Sequence, residues 1–201
     1  MRRGILGGTF DPPHLAHLVA AETAFRQLGL DIVTLIPVGD PWQKAGRAVS
    51  DPRHRIAMTK LSIQGVDYLE VDDREVRRRG ATYTIDTVES FGSADEIVLI
   101  VGADAAAGVD TWHRPDDLRA RATFAVMPRH GVTAAEVAAA VGQAPVAWLR
   151  TPELAISSTE LRYRVARRDS IRFLVADAVW RYVEDQGLYT GSSATPDAAT
   201  P

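Results

Sequence analysis

Gly4-Ile5-Leu6-Gly7-Gly8-Thr9-Phe10-Asp11-Pro12-Pro13-His14-Leu15-Ala16-His17 is the stretch on which the fold turns. A short apolar run ends in glycines, and Leu18, Ala21, Phe25 and Leu28 then recur at helical spacing, so a strand, a tight turn and a helix starting near Pro13 are predicted. Asp31 to Val38 is β-branched and apolar on successive positions, as in a strand buried on both faces of a parallel sheet. It closes a β-α-β unit.

The same alternation continues along the chain. A helix is predicted from Ser50 or Asp51 with Pro52 as its first residue, carrying Ile56, Ala57, Met58 and Leu61. Tyr68 to Val71 reads as a strand, Tyr83 to Phe91 as a helix, and Glu96 to Val101 as the clearest buried strand. Thr123 to Met127 and Val146 to Leu149 are further strands around a helix at Ala134 to Val141. Helices from Ser158 and from Asp177 to Gln186 follow, the last stopped by Gly187. The fold class expected is α/β, a doubly wound, Rossmann-like parallel sheet. Residues 1–190 read as one domain, and Gly191 to Pro201, all small residues, prolines and an Asp, as a disordered tail.

Composition narrows the function. A chain of 201 residues with 46% apolar content supports one sizeable core. A net charge of −3 argues against a dedicated nucleic-acid binder, so any anion site must be local. Absence of cysteine excludes disulfides, thiolate zinc sites and a cysteine nucleophile, and fits a reducing cytoplasm. The first apolar stretch stops at Gly7-Gly8, unlike a signal peptide, and the one starting at Ile97 is broken by Gly102 and Asp104, too short to span a membrane.

The glycine turn carries the chemistry. Glycines after a strand let a ligand approach the backbone, and the following helix aims its N–H groups and positive dipole end at the same place. His14 and His17, three apart, are expected on one face of the first helical turn, where imidazoles can donate to phosphate oxygens. Metal ligation, or one buried structural histidine, is the rival reading; no third ligand stands at helical spacing, and a glycine turn suits phosphate better than zinc. Gly102-Ala103-Asp104 ends the best strand, where open sheets bind ligands, and the Asp104 carboxylate can hold ribose hydroxyls or merely cap a helix. Ser157 to Glu160 fits a capping box whose helix N-terminus has N–H groups left for phosphate, with Ser158 and Arg162 beside it. Lys44, near Trp42 and Gly46, can reach a phosphate as a mobile point charge.

The run G-G-T-F-D-P-P-H-x-x-H resembles the signature of the nicotinate-mononucleotide adenylyltransferases, within the superfamily of His-x-x-His nucleotidyltransferases. P-W-Q-K at Pro41 to Lys44, T-Y-T-I-D-T at Thr82 to Thr87, V-G-A-D at Val101 to Asp104, Trp112, and I-S-S-T-E-L-R at Ile156 to Arg162 extend the resemblance in the same order. The family usually has glycine where Ala16 stands, and commonly another residue type where His113 stands.

The resemblance implies adenylyl transfer from ATP, accompanied by Mg²⁺, to nicotinate mononucleotide, giving deamido-NAD and pyrophosphate. It implies His14, His17 and Lys44 as the catalytic groups. ATP is expected along Gly8, Thr9, Phe10, His14, His17, Gly102, Asp104, Ile156, Ser157, Ser158 and Arg162. The nicotinate mononucleotide is expected at Lys44, Thr84, Trp112, His113 and Arg129, its ring stacked on Trp112. Two alternatives stay open: a sister enzyme acting on nicotinamide mononucleotide or phosphopantetheine, and a noncatalytic nucleotide-binding regulator. The arginines at 77–79, 164, 167 and 168 read as solvated charge or subunit contacts.

Overall fold

The computed structural model describes residues 1–39, 49–78 and 80–191. Six strands, β1 (Arg2–Gly8), β2 (Ile32–Pro37), β3 (Leu69–Val71), β4 (Glu96–Gly102), β5 (Ala122–Met127) and β6 (Val146–Trp148), form one sheet in the order β3-β2-β1-β4-β5-β6. Every neighbouring pair is parallel, as the continuous apolar runs require. The helices are α1 (Leu15–Leu28), α2 (Pro52–Ser62), α3 (Arg74–Arg77), α4 (Thr84–Glu89), α5 (Ala103–Ala107), α6 (Pro115–Arg121), α7 (Ala134–Val141), α8 (Ser158–Ala166) and α9 (Asp177–Asp185).

Alternation along the central strands divides the core. Ile5, Ile97, Leu99 and Val101 face one layer with Val88 and Leu118. Leu6, Val98 and Ile100 face the other with Phe10 and α1. Ala20, Ala21 and Ala24 are fully buried on α1, and their small side chains let that helix lie close to the sheet. A third cluster, Met58, Leu161, Val179 and Val183 among its members, joins α2, α8 and α9 away from the sheet.

The chain builds outward from β1 to β2 and β3, then returns to place β4 on β1's other side. Loops leaving β1 and β4 therefore part in opposite directions, and a crevice opens at their carboxyl ends, Gly8 and Gly102.

Some sequence expectations need correction. The first helix starts at Leu15, not near Pro13; His14 is its extended cap residue (φ −142°, ψ 171°). On α2 the buried residues are Arg55, Met58, Thr59 and Ser62, whereas Ile56, Ala57 and Leu61 are only partly covered. This face is polar but satisfied internally: Thr59 Oγ1 donates to the Arg55 carbonyl and Ser62 Oγ to the Thr59 carbonyl, each at 2.7 Å. The helix expected over Tyr83 to Phe91 is the shorter α4, and α3 and α6 are too short to show a period. Residues 192–201 of the expected tail lie outside the described residues. No helix among the described residues is long and apolar enough to cross a membrane.

Candidate active site

A cavity of about 580 Å³ occupies the crevice. The β1–α1 turn contributes Gly8, Thr9, Phe10, His14 and His17; β4 and α5 contribute Gly102 and Asp104. Ile156, Ser157, Ser158 and Arg162 come from the start of α8, and Thr84, Trp112, His113 and Arg129 complete the wall. All the site residues named from the sequence thus line one cavity, except Lys44, which lies outside the described residues together with Pro41 to Gln43. Ala16 is partly exposed on α1 and is not among the lining residues, so its extra methyl does not narrow the cavity.

The two histidines meet by a different route from helical spacing. Their rings stack with centroids 3.7 Å apart, His14 from the cap position and His17 from the first turn. The His14 backbone N–H donates to His17 Nδ1 at 3.2 Å, so a neutral His17 ring carries its proton on Nε2. Phe10 stands edge-on to His17 at 5.0 Å. Phe10 itself is 1% exposed with φ +50°, a backbone region costly for a non-glycine residue, which shapes the turn around the buried ring. Fewer helix N–H groups face the cavity than the sequence suggested: Leu15 donates to the Leu174 carbonyl at 3.0 Å and His17 to the His14 carbonyl at 2.9 Å.

His14 is 5% exposed, and its Nδ1 is buried with no hydrogen-bond partner. Burial, reinforced by the nearby Arg129 guanidinium, lowers its pKa from 6.5 to about 4. The ring is therefore neutral at physiological pH.

Asp104 is the second residue of α5 and Gly102 is the cap, which removes the reading of Asp104 as a helix cap. A Cβ at Gly102 would meet Asp104 Oδ1 and displace that carboxylate from its present position. On α8, Ser157 Oγ accepts the Glu160 backbone N–H at 3.1 Å, so the serine half of the capping box forms, with the Glu160 side chain exposed. Ser158 Oγ donates to the Pro12 carbonyl at 2.9 Å and Arg162 Nη1 to the Asp11 carbonyl at 2.8 Å. Both side chains thereby brace the glycine turn while lining the cavity.

Elsewhere in the lining, Thr84 opens α4, and the His113 ring stacks on Tyr83 at 4.1 Å. Trp112 packs its inner side against the core. Glu75 also lines the cavity and accepts from Thr87 Oγ1 at 2.7 Å; burial raises its pKa despite hydrogen bonding and nearby Arg78 and Arg74. Sequence reasoning missed Glu75 because a lone glutamate among arginines resembles surface charge. It also missed Asp11, 1% exposed, whose carboxylate accepts from the Tyr189 hydroxyl at 2.7 Å and the Ser50 N–H at 3.1 Å.

With this geometry, known proteins can be compared. Residues 5–164 match the family model described as cytidylyltransferase-like. The chain is 42% identical over 191 residues to a probable nicotinate-nucleotide adenylyltransferase of Frankia casuarinae, covering 94% of this chain and 100% of the relative. A protein of the same description from an Arthrobacter species is 39% identical over 198 residues, covering 96% and 95%. Among solved structures, the Plasmodium falciparum nicotinic acid mononucleotide adenylyltransferase complexed with NaAD superimposes with a TM-score of 0.79 at 16% identity, over 95% of this chain and 98% of that one. That last likeness is one of fold.

Proposed function

Because the chain belongs to the nicotinate-nucleotide adenylyltransferases within the cytidylyltransferase-like family, we propose that its crevice joins the adenylyl group of ATP to nicotinate mononucleotide. The mononucleotide phosphate attacks the α-phosphorus in line; the bond to the β-phosphate oxygen breaks, and pyrophosphate leaves with deamido-NAD as product. No protein nucleophile is required, since such transfers depend on positioning and charge stabilisation. The observation that carries this reading is the stacked histidine pair at the β1–β4 switch point, in one cavity with Asp104, Arg162, Thr84 and Trp112.

In this reading His14 and His17 donate to the ATP phosphates, Arg162 and the start of α8 add positive potential, and Asp104 holds the ribose. Lys44 serves the phosphates as a point charge. Among the described residues no three histidine, aspartate or glutamate side chains gather to hold a metal ion. In this reading the divalent cation enters with the substrate, as Mg²⁺ bound to ATP phosphates and water. Residues 1–190 act as one domain, in the cytoplasm.

A pyrophosphate-release assay with ATP and candidate mononucleotides tests the reading. Nicotinate mononucleotide is expected to exceed nicotinamide mononucleotide at least about tenfold in kcat/KM. A carboxylate offers acceptors to the Thr84 hydroxyl and to the backbone N–H groups after Trp112 alike, whereas an amide NH₂ turned to those backbone N–H groups sets a donor against a donor, a mismatch of about 1–3 kcal/mol. Trp112→Ala should weaken the mononucleotide by removing the stacking face. Equal specificity for acid and amide would show the acceptor pocket misread, and silence with every mononucleotide would favour a noncatalytic binder.

Asp104→Ala is expected to raise the ATP KM and to lose discrimination against deoxy-ATP, with the fold retained, because the Asp104 side chain is exposed. Unchanged discrimination between ATP and its deoxy analogues would remove Asp104 from the ribose.

A further inference from the structure

Three segments behind the cavity converge on one buried guanidinium. Arg55, on α2 and 1% exposed, donates from Nη1 to the carbonyls of Thr9 at 3.0 Å and Val38 at 2.7 Å. Its Nη2 donates to the Gly39 carbonyl and its Nε to that of Ser50, both at 3.1 Å. No carboxylate among the described residues is paired with it directly. Asp11, the largest favourable charge acting on it, is itself held by Tyr189 and Ser50.

A fully buried arginine is normally set against a carboxylate. Here its donors go to main-chain carbonyls from separate parts of the chain. The guanidinium is a rigid planar fork, so those carbonyls can satisfy it together only at fixed mutual positions. Thr9 belongs to the turn that presents Phe10 and His14. Val38 and Gly39 leave β2, and Gly39 packs so tightly on α3 that a Cβ there would overlap the carbonyl of Glu75, which lines the acceptor end. Arg55 is not among the cavity-lining residues, yet it stands behind both halves of the crevice.

We propose that Arg55 is a positioning residue for adenylyl transfer, its guanidinium holding the ATP-side turn at Thr9 in register with the acceptor-side wall at Val38 and Gly39. The inference rests on reading the crevice as a two-substrate site. A group that sets two substrates against each other without touching either should act on turnover more than on either affinity, since small misplacements of reacting groups slow chemistry steeply.

The test compares Arg55→Lys and Arg55→Met with wild type. Thermal unfolding gives the folded fraction. Calorimetry gives the Kd of a non-hydrolysable ATP analogue and, separately, of nicotinate mononucleotide. Pyrophosphate release gives kcat per folded molecule. The expected result is a fall in kcat of about tenfold or more for Arg55→Met, partial recovery in Arg55→Lys, and each Kd within about threefold of wild type. Lysine keeps the charge but offers three donors from a single point, and it decides the matter alone if the methionine variant does not fold. A kcat per folded molecule within about threefold of wild type, or a loss confined to one Kd, would overturn the role as stated. An active wild type with unaffected variants refutes this inference alone; a wild type silent with both substrates refutes the functional reading and the inference together.

Discussion

His17→Ala is expected to lower turnover by about 10²- to 10³-fold while leaving ATP affinity nearly unchanged, the scale found for losing one donor aimed at developing charge. The His14 amide bonded to Nδ1 assigns the His17 proton to Nε2, and the ring is held between the His14 stack and the Phe10 edge at the cavity wall. Such a donor needs no reorganisation when charge builds on the α-phosphate of the transferring adenylyl group. Alanine also leaves the His14 N–H without its acceptor, a structural loss of about 1 kcal/mol, so His17→Asn, whose amide oxygen can accept that bond, is the matched control. The measurement is kcat and the ATP KM at saturating mononucleotide. Near wild-type turnover in His17→Ala would take His17 out of the mechanism. His14→Ala should mainly raise the ATP KM, and an unchanged value would count against phosphate binding by His14.

Folding stability should fall steeply between pH 6.5 and 4, with His14 responsible for about 3 kcal/mol of the loss. Its pKa is 6.5 when unperturbed and about 4 in the fold, so the folded state refuses a proton that the unfolded chain accepts across this window. Above pH 6.5 both states hold the ring neutral and the penalty vanishes. As pH falls through the window the unfolded chain gains the advantage, and most of the effect is complete once the folded ring itself protonates. Urea unfolding at pH 7.5 and 4.5 measures it, and His14→Asn separates the histidine from the carboxylates that also titrate there. Wild type and variant losing equal stability would mean that His14 ionises normally in the fold.

Local pattern carried much of this molecule. The glycine turn, the strand at Glu96 and the Pro52 helix start were readable because each rests on contacts a few residues apart: period, capping and turn sterics. The same holds for Asp104, which needed only to follow the strongest strand. The histidine pair was readable as a pair but not in its geometry, since the extended cap conformation of His14 puts one ring outside the helix whose spacing suggested their alignment. Glu75 could have been found only by knowing that α3 folds beside Thr87 on α4.

The sequence alone determined that strands and helices alternate, that β2 and β4 are buried on both faces, and that a glycine turn leading into a helix follows the first strand. It did so because apolar periodicity and the conformational range of glycine act within one or two turns of chain. Only the tertiary structure decided that β1 and β4 lie side by side and open the crevice, that Asp11 meets Tyr189, and that Arg55 serves carbonyls rather than a carboxylate. Those outcomes depend on segments far apart in the chain arriving together. A buried polar group must find its hydrogen bonds wherever packing leaves carbonyls and N–H groups open, and no local pattern records where that will be.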